Sequence, residues 1–241
     1  MANKFYKPGE QRAAKVNDLF AAIAPRYDLI NDLQSFGLHR YWKCKLVRMA
    51  KVQAGNRALD VCCGTGDISF KLAAAGAEVT GLDFSQPMLD VAESKRAPKA
   101  AQEPPPVPRF LQGDAQQLPF NDATFDVVTV GYGLRNLSRW ERGLEEMWRV
   151  SKPGARLLVL DFGKPDNAAW RSLYFTYLRL FVPLFGKLFC GDSDTHAYIL
   201  ESLKNYPAQH GVARKMKELG CKNVRIINLL GGVMTINYGE R

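Results

Sequence analysis

The chain has 241 residues, 46% of them hydrophobic, with 33 Lys and Arg against 24 Asp and Glu and a net charge of +9. That size and apolar content fit one α/β domain with a full core, and the positive balance favours an anionic partner: nucleic acid, acidic lipid or an anionic substrate. The polar start MANKFYKPGEQRAAK argues against a secretory signal, five cysteines make no paired disulfide framework and fit a reducing cytosol, and three histidines without a C-x-x-C leave no metal site to expect.

Residues 10–24 read as an amphipathic helix with Val16, Leu19, Phe20 and Ile23 on one face, stopped at Pro25. Residues 26–43 are dense in aromatics and charge. In an open α/β sheet such a piece lies over the strand ends, so 1–53 is expected to form a helical lid. Tyr27, Phe36 and Trp42 also suit a core. Of these Tyr27 is the expected ligand contact, and His39 reads as a hydrogen-bonded structural histidine. A further helix is expected over 40–52.

The stretch RALDVCCGTGD, residues 57–67, runs as a buried parallel strand into a glycine turn. Gly64 and Gly66 permit unusual φ values and let a ligand lie against bare backbone. Asp67 stands where a helix start favours an acid. A second strand over 77–82 ends at Asp83, 17 residues after Gly66, where a carboxylate can accept from both hydroxyls of a ribose. A nucleoside cofactor over the carboxyl ends of the strands is therefore expected. Ser69 stands where the dinucleotide pattern wants its third glycine, and Asp60 sets a carboxylate near the turn, suited to the amino acid end of S-adenosylmethionine. S-adenosylmethionine is the preferred cofactor on these residues, with NAD the alternative.

Helices are expected over 68–75 and from Ser85 onward, with Met88, Leu89 and Val91 facing inward. Residues 98–108, PKAAQEPPPVP, read as an extended surface loop. Strand 109–112 ends before Asp114, placed to accept from an adenine amino group. A strong strand over 125–130 opens into Gly131-Tyr132-Gly133-Leu134-Arg135-Asn136, at the position where open sheets bind ligands. Arg135 and Asn136 in that loop read as functional, against a plain ion pair for Arg135.

A helix over 138–150, a turn at 151–154 and a fifth strand over 155–160 complete a doubly wound sheet. The 17 residues 173–189, LYFTYLRLFVPLFGKLF, carry two charges and a proline, so they are a poor membrane span. They fit an interfacial helix, a wall of an apolar pocket or a buried helix pair. Asp194 would cap a helix over 195–203. A helix over 208–219 and a hairpin, 224–229 with 233–238, finish a sheet of about seven strands, mostly parallel with an antiparallel C-terminal strand.

The segments LDVCCGTGD, GLDFS, GDAQQLPF, FDVVTVGYGLRN and RVSKPGARLLVLDF resemble the motifs of class I S-adenosylmethionine-dependent methyltransferases. RYDLINDLQSFGLHRYWK, GLRN, GDSDTHAYILESLKNYP and GGVMTINYG more narrowly resemble the ubiquinone/menaquinone C-methyltransferase family, over roughly residues 16–238. The resemblance implies one Rossmann-like methyltransferase domain over 1–241, with a cofactor-binding core at 57–161, a helical substrate-side insertion at 165–205 and a C-terminal helix and hairpin at 208–241. It implies cofactor contacts at Thr65, Asp83, Phe84, Asp114, Ala115 and Gly131, beside Asp60, Gly64 and Gly66. Some relatives carry serine at position 131, where this chain offers backbone alone.

The implied reaction is methylation of a ring carbon of a polyprenylated quinol, with the naphthoquinol preferred over the benzoquinol. Arg135 and Asn136 would be catalytic and Tyr27 would position cofactor or ring. The expected setting is cytoplasmic, with peripheral contact to an anionic membrane, no nucleic acid partner, and a homodimer compatible with the sequence. An NAD oxidoreductase, an RNA methyltransferase and a non-catalytic cofactor binder are the rival readings.

Overall fold

The structure is a computed structural model that describes residues 11–100, 107–183, 187 and 194–241. The start of the chain (1–10), the middle of the proline-rich segment (101–106) and most of the second half of 173–189 lie outside the described residues, as does the expected capping side chain of Asp194.

Seven strands form one sheet: β1 (Arg57–Val61), β2 (Glu78–Asp83), β3 (Arg109–Gln112), β4 (Phe125–Gly131), β5 (Ser151–Phe162), β6 (Lys222–Leu229) and β7 (Met234–Glu240), in the order β3-β2-β1-β4-β5-β7-β6. All neighbours are parallel except β7, which runs antiparallel to both β5 and β6. The apolar runs predicted for the central strands are explained by burial on both faces. Leu59, Val61, Val128, Val130, Leu157 and Leu158 are at most 1% exposed, and fully burying each such side chain contributes about 1.5–3 kcal/mol. Helices cover both faces, so the core divides into two layers with the sheet between them.

The described helices are α1 (Gln11–Ile23), α2 (Tyr27–Ser35), α3 (Leu38–Ala50), α4 (Asp67–Ala74), α5 (Gln86–Ala100), α6 (Trp140–Val150), α7 (Ala168–Leu180), α8 (Asp194–Asn205) and α9 (Ala208–Glu218). In α3, Trp42, Leu46 and Ala50 recur every four residues and are buried against α4 and the sheet. In α6, Leu144, Met147 and Val150 recur every three residues and are buried on the other face.

Helix α1 ends at Ile23, as Pro25 predicts, and a 3-10 turn over Ala24–Arg26 leads directly into α2. Two expectations are corrected. Helix α5 runs through Pro98 to Ala100 instead of giving way to a loop, carried by good helix formers downstream of a first turn anchored on buried Met88 and Leu89. Residues 151–154 are strand and not turn, because the chain end pairs with them: Gly154 donates to the Arg241 carbonyl at 2.7 Å and Arg241 N–H to the Ala155 carbonyl at 3.0 Å.

Candidate active site

The sheet order reverses between β1 and β4, so the loops leaving these two strands open into one crevice above their carboxyl ends. Helix α1 and the start of α2 close it from above. One cavity in this crevice is lined by Tyr27, Gly64, Asp83, Phe84, Asp114, Ala115, Gly131, Tyr132 and Asn136. Eight of these are residues predicted from sequence. An adjoining smaller cavity brings in Asp60 and Thr65 and shares Tyr27, Gly64, Gly131 and Tyr132.

Asp83 is fixed by backbone. Its Oδ2 accepts the Gly64 N–H at 2.8 Å and its Oδ1 the Ser85 N–H at 2.9 Å. Each oxygen keeps a lone pair, so a ribose diol fits this carboxylate. Burial pushes the Asp83 carboxyl above its ordinary value, and the N–H bonds oppose this. In the same cavity the Ser85 Oγ is buried without a hydrogen-bond partner. Gly64 takes φ of 55° and its absent Cβ leaves room beside Met88. An acceptor pair, an orphan hydroxyl and bare backbone fit an adenosine group.

Asp60 is 1% exposed and accepts from Ser69 Oγ at 2.6 Å and Thr129 Oγ1 at 2.9 Å. Burial pushes its carboxyl up to about 6. Beside it, Thr65 Oγ1 donates to Asp28 and Lys43 Nζ donates to Asp67 at 2.8 Å. Burial acts to raise Asp67, and the Lys43 ammonium outweighs it and holds the carboxyl below its ordinary range. This corner offers both charges to a zwitterionic amino acid end. Gly66 stands outside both cavities. Its φ of 83° starts α4, and a Cβ there would come within 2.8 Å of the Phe110 ring, so close packing requires a glycine at this position.

Arg135 and Asn136 are 5% and 7% exposed. Arg135 Nη1 donates to the Tyr132 carbonyl at 2.9 Å and to Asn136 Oδ1 at 2.7 Å, and the guanidinium stands over the Phe162 ring at 4.8 Å. The hydroxyl of Tyr198, from α8, also donates to Asn136 Oδ1. Arg135 lines neither cavity above. It borders a third, between α1, α2 and Tyr198, that shares Tyr27 and Tyr132 with the first two. Its ion partner is the buried Asp161 at the end of β5, not a surface acid.

Tyr132, in the loop expected to face the ligand but assigned no role from sequence, stands at the centre of this arrangement. It lies at φ of 64° and lines all three of these cavities and a fourth. The fourth, about 420 Å³, is walled by α2, α3, α7 and the turn between β6 and β7, and is mostly apolar. Leu173, Tyr174, Tyr177 and Phe181 of the 173–189 segment form one side, which makes its described part the wall of an apolar pocket. Among the described residues no helix is long and apolar enough to cross a membrane.

A model of the ubiE/COQ5 methyltransferase family matches residues 8–241. The chain belongs to that family. A ubiquinone/menaquinone biosynthesis C-methyltransferase UbiE from Azotobacter vinelandii is 40% identical over 96% of this chain and 92% of its own length. A demethylmenaquinone methyltransferase from Desulfitobacterium hafniense is 39% identical over 97% and 92%. Membership in this methyltransferase family retires the NAD reading. The fold is shared with solved proteins at lower identity. A SAM-dependent methyltransferase from Aquifex aeolicus superposes with a TM-score of 0.56 at 20% identity, covering 81% of this chain and 87% of that one. The [4+2]-cyclase SpnF does so at 0.64 and 18%, covering 97% and 98%.

Proposed function

We propose that this member of the ubiE/COQ5 methyltransferase family methylates a ring carbon of a polyprenylated quinol, demethylmenaquinol in the first instance, using S-adenosylmethionine. The carrying observation is that one residue, Tyr132, walls both the cavity that holds Asp83 and Asp114 and the apolar cavity of about 420 Å³. A polar nucleoside on one side and a greasy substrate on the other would meet there. The names of the two relatives support the same reaction, and the name of the Azotobacter enzyme keeps the benzoquinol as the second substrate.

Bound S-adenosylmethionine supplies an electrophilic methyl group. Asp83 would hold the ribose, Asp114 and the adjacent backbone the adenine, and the Lys43, Asp60, Thr65 and Asp67 corner the amino acid end. A quinol carbon becomes nucleophilic when the neighbouring hydroxyl ionises, so the protein's work is to orient the ring, exclude water and favour the quinolate. The Arg135 guanidinium would supply positive potential from behind Tyr132 and Phe162, and Asn136, held by Arg135 and Tyr198, would orient the ring. Tyr27, whose hydroxyl burial pushes up to about 12, remains neutral and positions the ring or the cofactor.

The isoprenoid tail would lie in the apolar cavity. Phe36, Leu173, Phe181 and Leu230, between 53% and 85% exposed, stand at its rim, and Arg40, Arg179 and Lys187, also exposed, lie within a few residues of them in the chain. That rim would rest on an anionic membrane surface and receive the substrate from it, with helices α1–α3 acting as the lid. Salt-sensitive co-sedimentation with anionic vesicles is the expected result, and its absence removes the membrane contact.

The catalytic assignment is tested by single-turnover methylation of a short-tailed quinol by Arg135→Lys and Arg135→Ala, with S-adenosylhomocysteine affinity measured alongside. Slowed turnover with retained affinity is expected. Unchanged turnover removes the role.

A further inference from the structure

The surface of the apolar cavity is mostly carbon, and four of the side chains that line it hold a buried polar atom with no hydrogen-bond partner: Gln34 Nε2, His39 Nδ1, Tyr132 Oη and Tyr174 Oη. Leaving a polar atom buried and unpaired costs about 1–3 kcal/mol. Four around one greasy space mark it as built for a ligand that is apolar in bulk and carries hydroxyls. A prenylated hydroquinone has that composition.

His39 differs from the other three because its second nitrogen is committed. His39 is 3% exposed, and its Nε2 lies 2.7 Å from Asp32 Oδ1. A carboxylate only accepts, so Nε2 carries the proton and Nδ1 keeps its lone pair. Asp32 is itself clamped: Arg40 Nε donates to Oδ1 at 2.6 Å and Nη2 to Oδ2 at 2.5 Å. The Arg40 guanidinium holds the Asp32 carboxyl well below the usual carboxylate range, so it stays ionised. The dyad is fixed in place by helix α3, whose first turn packs on α2: the His39 N–H donates to Ser35 Oγ at 3.1 Å. Along the same helix Lys43 stands 5.9 Å over the Tyr132 ring, so α3 turns the face carrying His39 and Lys43 toward the junction of the two cavities.

We propose that His39, oriented by Asp32, is the general base that takes the proton of the quinol hydroxyl next to the carbon to be methylated. The O–H bond breaks and its electron pair stays on oxygen. A new N–H bond forms at Nδ1, and the imidazolium charge is held against the Asp32 carboxylate. The proton leaves to solvent after turnover. This assignment rests on the quinol reading above. It revises the structural role that sequence suggested for His39, and it supplies the proton acceptor that Arg135 cannot be.

Charge around the imidazole sets its working range. Burial lowers the affinity of His39 for a proton, Asp32 on α2 opposes this, Lys43 on α3 adds to it and Asp67 on α4 opposes it, with Arg40 neutralising part of Asp32. The net direction is down, so the imidazole is neutral and ready to accept at neutral pH.

The chain has three histidines, so Nδ1 of His39 can be followed by nitrogen NMR, assigned by comparison with His39→Gln. The probe is 4-methoxy-3-prenyl-1-naphthol, added to full-length protein saturated with S-adenosylhomocysteine. The Nδ1 resonance is expected to move as its lone pair accepts the naphthol hydroxyl, and to move less in Asp32→Asn. In turnover, His39→Gln should lose about 10²- to 10⁴-fold in kcat. Its remaining rate should climb with pH throughout, whereas the wild-type rate levels off above the depressed His39 titration. S-adenosylhomocysteine affinity of both variants reports that they are folded. Binding of the naphthol without movement of Nδ1, or an unaltered pH profile in His39→Gln, overturns the base assignment alone. Failure of the wild type to bind the naphthol while it binds S-adenosylhomocysteine overturns the quinol reading and this assignment together.

Discussion

Asp161 holds Arg135 from beneath: its Oδ2 accepts the Arg135 backbone N–H at 3.1 Å, and its Oδ1 lies 3.5 Å from the Arg135 Nε. Both side chains are almost fully buried. Removing one charge of a buried pair leaves the other uncompensated, which costs about 3–5 kcal/mol. Asp161→Asn should therefore unfold at clearly lower denaturant with an unchanged m-value. It should also slow methyl transfer more than it weakens S-adenosylhomocysteine binding, since Asp83 is untouched. Denaturant unfolding, calorimetric titration with S-adenosylhomocysteine and single-turnover rates on one preparation check these outcomes.

Tyr132→Phe separates a folding role from a ligand role. The Tyr132 hydroxyl is buried without a partner, so deleting it should leave stability unchanged or raise it by up to about 1 kcal/mol. Turnover with the quinol should fall, because the hydroxyl finds its partner only when the substrate is bound. A loss of stability without a loss of activity would contradict this placement.

Asp60 makes a specific pH prediction. Its carboxyl is raised from 3.8 to about 6, so between these values the folded state binds more protons than the unfolded chain. Stability from this group is then present at low pH and lost as pH rises through about 6, by about 3 kcal/mol in all. Asp60→Asn removes that slope. The difference in Tm between wild type and variant should grow in favour of the variant from pH 4 to pH 7. A constant difference across that range would show that Asp60 ionises without penalty.

Leu173→Glu tests the tail channel. Leu173 is 59% exposed and lines the mouth of the apolar cavity. A charge there forfeits contact of the order of one buried leucine, about 1.5–3 kcal/mol. KM for a long-tailed quinol should rise by about tenfold or more, while KM for a quinol with no tail and the affinity for S-adenosylhomocysteine stay put. Equal effects on both quinols would place the tail elsewhere.

Much of this site could be read from the chain because its determinants are local. The run from Ala58 into Gly64, and Asp83 at the end of the next strand, set a strand, a turn and an acceptor within one β-α-β unit, and the fold places them together. Helix α2 was missed for a physical reason: Leu29 and Leu33 point outward at 57% and 38% exposure, and only Ile30 among its residues is buried, so no apolar stripe marks it. The packing demand on Gly66 is not legible locally, because its neighbour Phe110 arrives from β3, 44 residues later. The partner of Arg135 was hidden likewise. Asp161 becomes its neighbour only because β4 and β5 pair with Gly131 opposite Leu160. The place of Tyr132 at the meeting of the cavities depends on a left-handed backbone that a tyrosine does not announce.

The most direct measurement is the identity of the product. Wild-type protein, S-adenosylmethionine and a reduced, prenylated 1,4-naphthalenediol lacking the ring methyl are combined without oxygen, and the product is then exposed to air and weighed by mass spectrometry. Methylation at carbon leaves both hydroxyls free, so the product should reoxidise to a methylnaphthoquinone, with one S-adenosylhomocysteine formed per methyl transferred. A product that resists oxidation, as an O-methyl ether does, or no methylated product from either the naphthalenediol or the matching benzenediol, would contradict the account.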